Sequence, residues 1–319
     1  MSATALQASP PQAAPTSPVI QELALSAMQA QRIASMVEGV LSECPGQVEP
    51  RYLNRIEALS KDFLADIPAL LWSRKRPFVV TGLPVFDNIE KSKILALLLG
   101  ETIGKCAAYS EYNQSYITDI RPTKFSKELS SGTELLDMHN DLTFATDKCR
   151  PRALVLVAHI ASGDVPKTLL APADLILAEL TPEDAQVLAE PVYEIRSGSK
   201  LRWPSEQVRR ISIIERENEH VLIRLSFTNI SARAGLPHDS AAKAMSALSR
   251  LAETALELGR HYGHVIRRGE ALFIPNDYCL HGRDAYESDN YERLLLRSYV
   301  VTPDVVKANH GNTMISLRT

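Results

Sequence analysis

His139, Asp141 and His281 are the side chains whose types and spacing could do chemistry together. In Met138-His139-Asn140-Asp141-Leu142-Thr143-Phe144 a histidine and an aspartate stand two positions apart, so an extended backbone projects both to one side. A second run far downstream, Cys279-Leu280-His281-Gly282-Arg283, carries another histidine. Two imidazoles and one carboxylate make one face of an octahedral metal and leave three adjacent positions open, the donor set of non-haem Fe(II) centres. Alone, His-x-Asp is a weak signal, because a chain with 8 histidines and 38 acidic residues can produce it by chance.

The surroundings strengthen it. Ala153-Leu154-Val155-Leu156-Val157-Ala158 reads as a buried strand after the turn-like Lys148-Cys149-Arg150-Pro151-Arg152. Before His281 come a Gly269-Glu270 turn, the strand Ala271-Leu272-Phe273-Ile274 and the turn Pro275-Asn276-Asp277. After it, Glu292 to Val300 reads as a strand on which Arg293 and Arg297 share one face while Leu294 and Leu296 fill the other. Two arginines aimed at a metal site need an anion, and a dicarboxylate cosubstrate supplies one bidentately. The bland alternatives are sheet-edge ion pairs of these arginines with Glu292 or Asp289, and a hydrogen-bonded strand pair of His139 with Asp141. His261 and His264 are the rival metal pair, at the tail of a long helix where capping is the simpler role. His159 reads as a satisfied core histidine.

In this order, His-x-Asp, Thr168 after a Gly163-Asp164 turn, Gly269 to Asp277, His281-Gly282-Arg283 and Arg293-Leu294-Leu295-Leu296-Arg297, the chain resembles the Fe(II)/2-oxoglutarate oxygenases of the taurine dioxygenase and clavaminate synthase type. The likeness spans roughly Tyr112 to Val300. It is nearer to the clavaminate synthase-like branch that hydroxylates free amino acids and related metabolites, which Ser130-Ser131-Gly132 and Arg150-Pro151 also fit. Asp141 departs from the glutamate that many members of that branch have, though both are carboxylates.

The resemblance implies an α+β protein with a distorted double-stranded β-helix core, a jelly-roll of cupin-like form, with flanking helices. It implies His139, Asp141 and His281 as iron ligands, with 2-oxoglutarate and O2 as cosubstrates. Arg293 is expected on the distal carboxylate of 2-oxoglutarate with the Thr168 hydroxyl beside it. Arg297 then faces the primary substrate or supports Arg293, and the two arginines could exchange roles. Gln114, Ser131, Phe144, Arg224 and Asn229 are the expected substrate contacts, and Arg283 supports the ligand histidine from behind. The implied reaction couples oxidative decarboxylation of 2-oxoglutarate, giving succinate and CO2, to hydroxylation of an unactivated C–H bond. An intact carboxylate at Asp141 argues against halogenation, which needs that coordination position for halide. The expected substrate is a small amino-acid-like or peptide-derived metabolite, such as a cyclic dipeptide, in natural-product biosynthesis. The alternatives are a taurine dioxygenase-like catabolic enzyme acting on a sulfonate or other small acid, and a non-catalytic cupin-like binding module.

Composition sets the outer bounds. The chain has 319 residues, 45% hydrophobic and 23% charged, with a net charge of −3. That balance is globular and carries no basic footprint for nucleic acid or an anionic membrane. Cys44, Cys106, Cys149 and Cys279 are widely spaced and include no Cys-x-x-Cys pair, which points to reduced thiols. With no apolar run of membrane length and no signal-peptide pattern, a cytoplasmic monomer or homodimer is expected.

The positioning elements follow from periodicity. Residues 1–18 read as a disordered tail, 19–41 and 52–71 as amphipathic helices, with Pro68 ending the second. Pro77 to Leu83 is a β-branched strand, a helix runs from about Ile89 to Leu99 and stops at Gly100, and Tyr116 to Ile120 is another strand. Ala173 to Leu180 and Pro182 to Leu188 read as helices, the latter capped by Thr181. Val192 to Arg196 is a strand, 211–216 and 221–228 flank a hairpin turn, and Asp239 to Tyr262 is the longest helix, capped by Asp239-Ser240. Residues 19–319 are expected to form a single domain with an insertion around 172–262.

Overall fold

The computed structural model describes residues 20–45, 49–60, 64, 66–112, 114–122, 132–197, 206–226, 229–287 and 290–318. The expected tail over 1–18 and the expected substrate contact Ser131 lie outside them.

In chain order the first elements are β1 (Gln21–Ala24), α1 (Ala27–Glu43), α2 (Glu49–Ser60), α3 (Asp66–Arg74), β2 (Phe78–Thr81), α4 (Ile89–Ile103), β3 (Lys105–Tyr109) and β4 (Ile117–Ile120). Then come β5 (Leu136–His139), β6 (Ala153–Gly163), β7 (Thr168–Pro172), α5 (Ala173–Glu179), α6 (Pro182–Ala189), β8 (Tyr193–Arg196), β9 (Val208–Ile211), β10 (Ile214–Glu217), β11 (His220–Ile223) and β12 (Ile230–Ala232). The chain continues with α7 (His238–His261), β13 (Ala271–Pro275), β14 (Cys279–Arg283), β15 (Tyr291–Val301), α8 (Pro303–Ala308) and β16 (Met314–Ile315).

Two sheets carry the site. The larger has the order β1-β2-β13-β6-β15-β3-β16, with β4 also paired to β15; the smaller is β5-β14-β7. Between them lies an apolar layer that includes Leu154, Leu156, Leu170, Leu272, Leu295 and Tyr299. The outer face of the larger sheet, with Leu294 and Leu296, packs under α1 to α4. Behind the smaller sheet, Met138, Leu169, Ala171 and Leu280 pack with Leu248 and Leu251 of α7 and with the apolar residues of β8 to β12. Leu294 and Leu295 thus fall in different layers, and the alternation expected for β15 is present.

Several expectations change in detail. Gln21–Ala24 is not helical but pairs in parallel with β2, because Leu23 aligns with Val80 at a sheet edge. The helix begins only after Ser26, whose side chain and Gln29 form a capping box. Pro68 opens α3, where its missing N–H costs nothing, and does not close α2. Gly100 lies inside α4 and not at its end. A Cβ there would sit 2.5 Å from Cys106 Sγ, so it is close packing against β3 that selects glycine. Helix α7 starts at His238, and Pro237 at its N-cap position provides no side-chain cap, in place of the cap expected from Asp239-Ser240. No helix among the described residues is long and apolar enough to cross a membrane.

Candidate active site

Register brings the two histidines together. In the antiparallel pairing of β5 with β14, His139 and His281 are direct cross-strand partners, with ring centroids 4.5 Å apart. Asp141 reaches the same space by another route than strand alternation: β5 ends at His139, and Asp141 sits in the turn that follows. His139 Nε2 lies 3.4 Å from Asp141 Oδ1, and His281 Nε2 lies 3.8 Å from Asp141 Oδ2. One ligand atom from each of the three falls within 4.8 Å of the others, a group that could hold a metal ion.

The electrostatics favour a divalent cation. His139 Nδ1 lies 2.7 Å from the Asp137 carbonyl, which as an acceptor fixes the proton on Nδ1 and leaves the Nε2 lone pair toward Asp141. Burial, and then the neighbouring His139, push the His281 imidazole down to about 3, so it is neutral and available as a ligand. For Asp141, burial acts to raise the carboxyl, but the Arg297 guanidinium and the two imidazoles beside it hold it well below the usual carboxylate range. Two imidazole nitrogens and an ionised carboxylate match the donors that non-haem iron takes.

Arg297 crosses from β15 to this group. Its Nη1 donates to Asp141 Oδ2 at 2.8 Å, and its guanidinium carbon stands 4.5 Å from the centroid of the Tyr299 ring. Nε and Nη2 are buried without a well-formed hydrogen bond. Arg293, four residues earlier on the same face, is also buried and donates to the Tyr286 hydroxyl at 3.4 Å. Arg283 lies opposite Thr168 in the β14–β7 register, donates to the Glu134 carbonyl and stacks over the Tyr286 ring at 5.2 Å. Thr168 is buried, and its backbone pairs with that of His264 in both directions.

The other expected residues are spread around this centre. Phe144 is buried under Arg209, whose guanidinium sits 4.4 Å over the ring. Arg224 donates to Asp147 Oδ1 at 3.0 Å. Gln114 is exposed, and its amide donates to the Ser110 carbonyl at 3.0 Å. Asn229 is half-buried, and its carbonyl accepts from the Arg196 amide. The rival histidines do not meet. His264 pairs with Glu270 at 3.0 Å, while His261 packs edge-on to Tyr262 at the end of α7. His159, which bulges from β6 opposite β15, bonds Ser92 Oγ through Nδ1 at 2.9 Å. Sequence reading missed Asn140 and Asn276, which bond around Asp141, and Tyr299 and Tyr286, which flank the arginines. Tyr299 was within reach, since it is two residues beyond Arg297 on the same strand face; the asparagines, in turns, carry no period to find them by.

With this geometry established, comparison with known proteins assigns the family. The model of the taurine catabolism dioxygenase TauD, TfdA family matches residues 47–299. No curated protein matches the chain. Among solved structures, an asparagine oxygenase in complex with Fe(II), 2S,3S-3-hydroxyasparagine and succinate is similar with a TM-score of 0.71 and 17% identity, covering 88% of this chain and 93% of that one. The non-heme iron oxygenase OrfP in complex with Fe and alpha-ketoglutaric acid has a TM-score of 0.71 and 22% identity over 89% of this chain and 94% of that one. The chain belongs to the taurine catabolism dioxygenase TauD, TfdA family, and with it to the iron- and 2-oxoglutarate-dependent dioxygenases.

Proposed function

We propose that this dioxygenase hydroxylates an unactivated C–H bond of a small amino-acid-like or peptide-derived metabolite, such as a cyclic dipeptide, in natural-product biosynthesis. The observation that carries the reading is the convergence of His139, Asp141 and His281 within 4.8 Å, beside the buried guanidinium of Arg297. In this reading His139 Nε2, His281 Nε2 and the Asp141 carboxylate hold the metal. Arg293 and Thr168 hold the distal carboxylate of 2-oxoglutarate, and Arg297 grips the cosubstrate or the primary substrate. Ferrous iron with 2-oxoglutarate and O2 supplies the oxidising chemistry, releasing succinate and CO2. The chain's own share is aim and exclusion of water: β14 and β5 set the two imidazoles beside one another with centroids 4.5 Å apart, Arg297 holds Asp141 ionised, and Phe144 packs under Arg209.

The larger and smaller sheets are proposed as the two walls of a distorted double-stranded β-helix. Residues 19–319 are then one domain, with 172–262 as the insertion that backs the smaller sheet. Support for an amino-acid-like substrate comes from the similar folds, whose structures hold 3-hydroxyasparagine and (3S)-hydroxy-L-Arg. A second reading, a sulfonate or another small acid, is favoured by the family description and by the buried guanidinium of Arg297.

Anaerobic addition of Fe(II) and then 2-oxoglutarate should produce a weak visible charge-transfer band. Its absence removes the proposed site. Succinate release across a panel of amino acids, cyclic dipeptides and sulfonates then separates the two substrate classes, because each predicts stimulation by its own members only.

A further inference from the structure

Asp141 stands beyond the end of β5, and the next residue, Leu142, has φ 50°, so no strand ladder offers partners to the Asp141 backbone. One side chain supplies both. The Asp141 amide donates to Asn276 Oδ1 at 2.9 Å, and Asn276 Nδ2 donates to the Asp141 carbonyl at 3.1 Å and to the Pro151 carbonyl at 2.9 Å. A carboxamide that engages the amide and carbonyl of one residue reproduces the pair of bonds a neighbouring strand would make. The orientation of the carboxamide is fixed by chemistry, since a backbone amide can donate only to the oxygen.

Asn276 is fully buried in the turn between β13 and β14, five residues before His281 (281 − 276 = 5). Its position is itself held from the ligand segment. Asn140, between the two ligands, donates through Nδ2 to the Asn276 carbonyl and accepts at Oδ1 from the Leu225 amide at 2.9 Å. The turn that leads into His281 and the turn that carries Asp141 are therefore one hydrogen-bonded unit.

We propose that Asn276 is a positioning residue for the metal site: by acting as a substitute strand for Asp141 it fixes the carboxylate against the two imidazoles and so sets metal affinity without touching the ion. This rests on the metal site proposed above. Arg297 draws on the same carboxylate at 2.8 Å, so the backbone behind Asp141 must be held if the carboxylate is to remain in reach of both imidazoles. Residues behind a metal ligand commonly change affinity by about 10–100-fold when altered.

The test is titration of the full chain with Co(II), followed by its d–d absorption, alongside melting of the metal-free protein. Asn276→Ala should weaken Co(II) binding by at least about tenfold. Asn276→Ser, which keeps one hydroxyl able to serve Asp141, should fall between it and the parent. Asp277→Asn is the control: it breaks the pairing with Arg150 and Arg152 in the same turn, lowering Tm, and should leave Co(II) affinity within about twofold. Unchanged affinity in Asn276→Ala, or an equal loss in Asp277→Asn, overturns the positioning role. If Asn276→Ala does not fold, Asn276→Ser decides by the same comparison. Failure of the parent protein to bind Co(II) instead overturns the metal site itself.

Discussion

Arg297 Nη1 lies 2.8 Å from Asp141 Oδ2, and both side chains are buried. The guanidinium expected to grip an anion and the carboxylate expected to grip a metal are thus one ion pair across the two sheets. Each partner offsets the other's cost of leaving water, and Asp141 Oδ1 remains turned toward His139.

Removing one partner strands the other. Asp141→Ala should abolish metal binding and also destabilise the metal-free protein by about 3 kcal/mol, since an unpaired buried guanidinium remains. Urea unfolding without metal checks this, and a loss below about 1 kcal/mol would show that the pair is solvated in the free protein.

Gly282 follows His281 and packs closely against β5. A Cβ there would sit 2.5 Å from the Leu136 carbonyl and 3.0 Å from Met138 Sδ. Gly282→Ala should part the β5–β14 register that aligns the histidines, weakening Co(II) binding and costing about 1–3 kcal/mol. Parent-like binding in the variant would mean the sheets have slack that these contacts do not suggest.

Arg293 and Thr168 are expected to share the distal carboxylate of 2-oxoglutarate. Arg293→Lys should raise the apparent Kd for 2-oxoglutarate by about tenfold, because one ammonium cannot reproduce a bidentate fork, and Thr168→Val by less. Both should leave Co(II) binding intact. An unchanged Kd in the Arg293 variant would hand the role to Arg297.

Glu111 holds down the C-terminal segment, accepting from Ser316 Oγ at 2.6 Å, the Leu317 amide at 2.9 Å and Ser110 Oγ at 2.9 Å. Burial acts to raise its carboxyl, but these hydrogen bonds prevail and hold it below its ordinary value of 4.5. A folded-state value below the unfolded one gives stability that is present above the unfolded value and lost as pH falls through the folded one. Glu111→Gln should therefore lower Tm at neutral pH, and the gap from the parent should close below about pH 4. A gap independent of pH between 3 and 7 would assign the contribution to shape alone.

From the order of residues alone, the candidate group was legible: His139, Asp141 and His281 as side chains to be brought together, the shared face of Arg293 and Arg297, and the apolar runs that carry them. Residue type and strand period are local properties, and β15 obeys its period because each side of it meets a different apolar layer. Tertiary structure decided what depends on contacts between distant segments. The exact opposition of His139 to His281 is a matter of register between β5 and β14. The place of Pro68 in the first turn of α3, the strand at Gln21–Ala24 and the helical Gly100 follow from packing that outweighs local preference. Asn276 is the clearest case: nothing in its turn marks it, because its partners at Asp141 and Pro151 lie 135 and 125 residues away and become neighbours only when the sheets close.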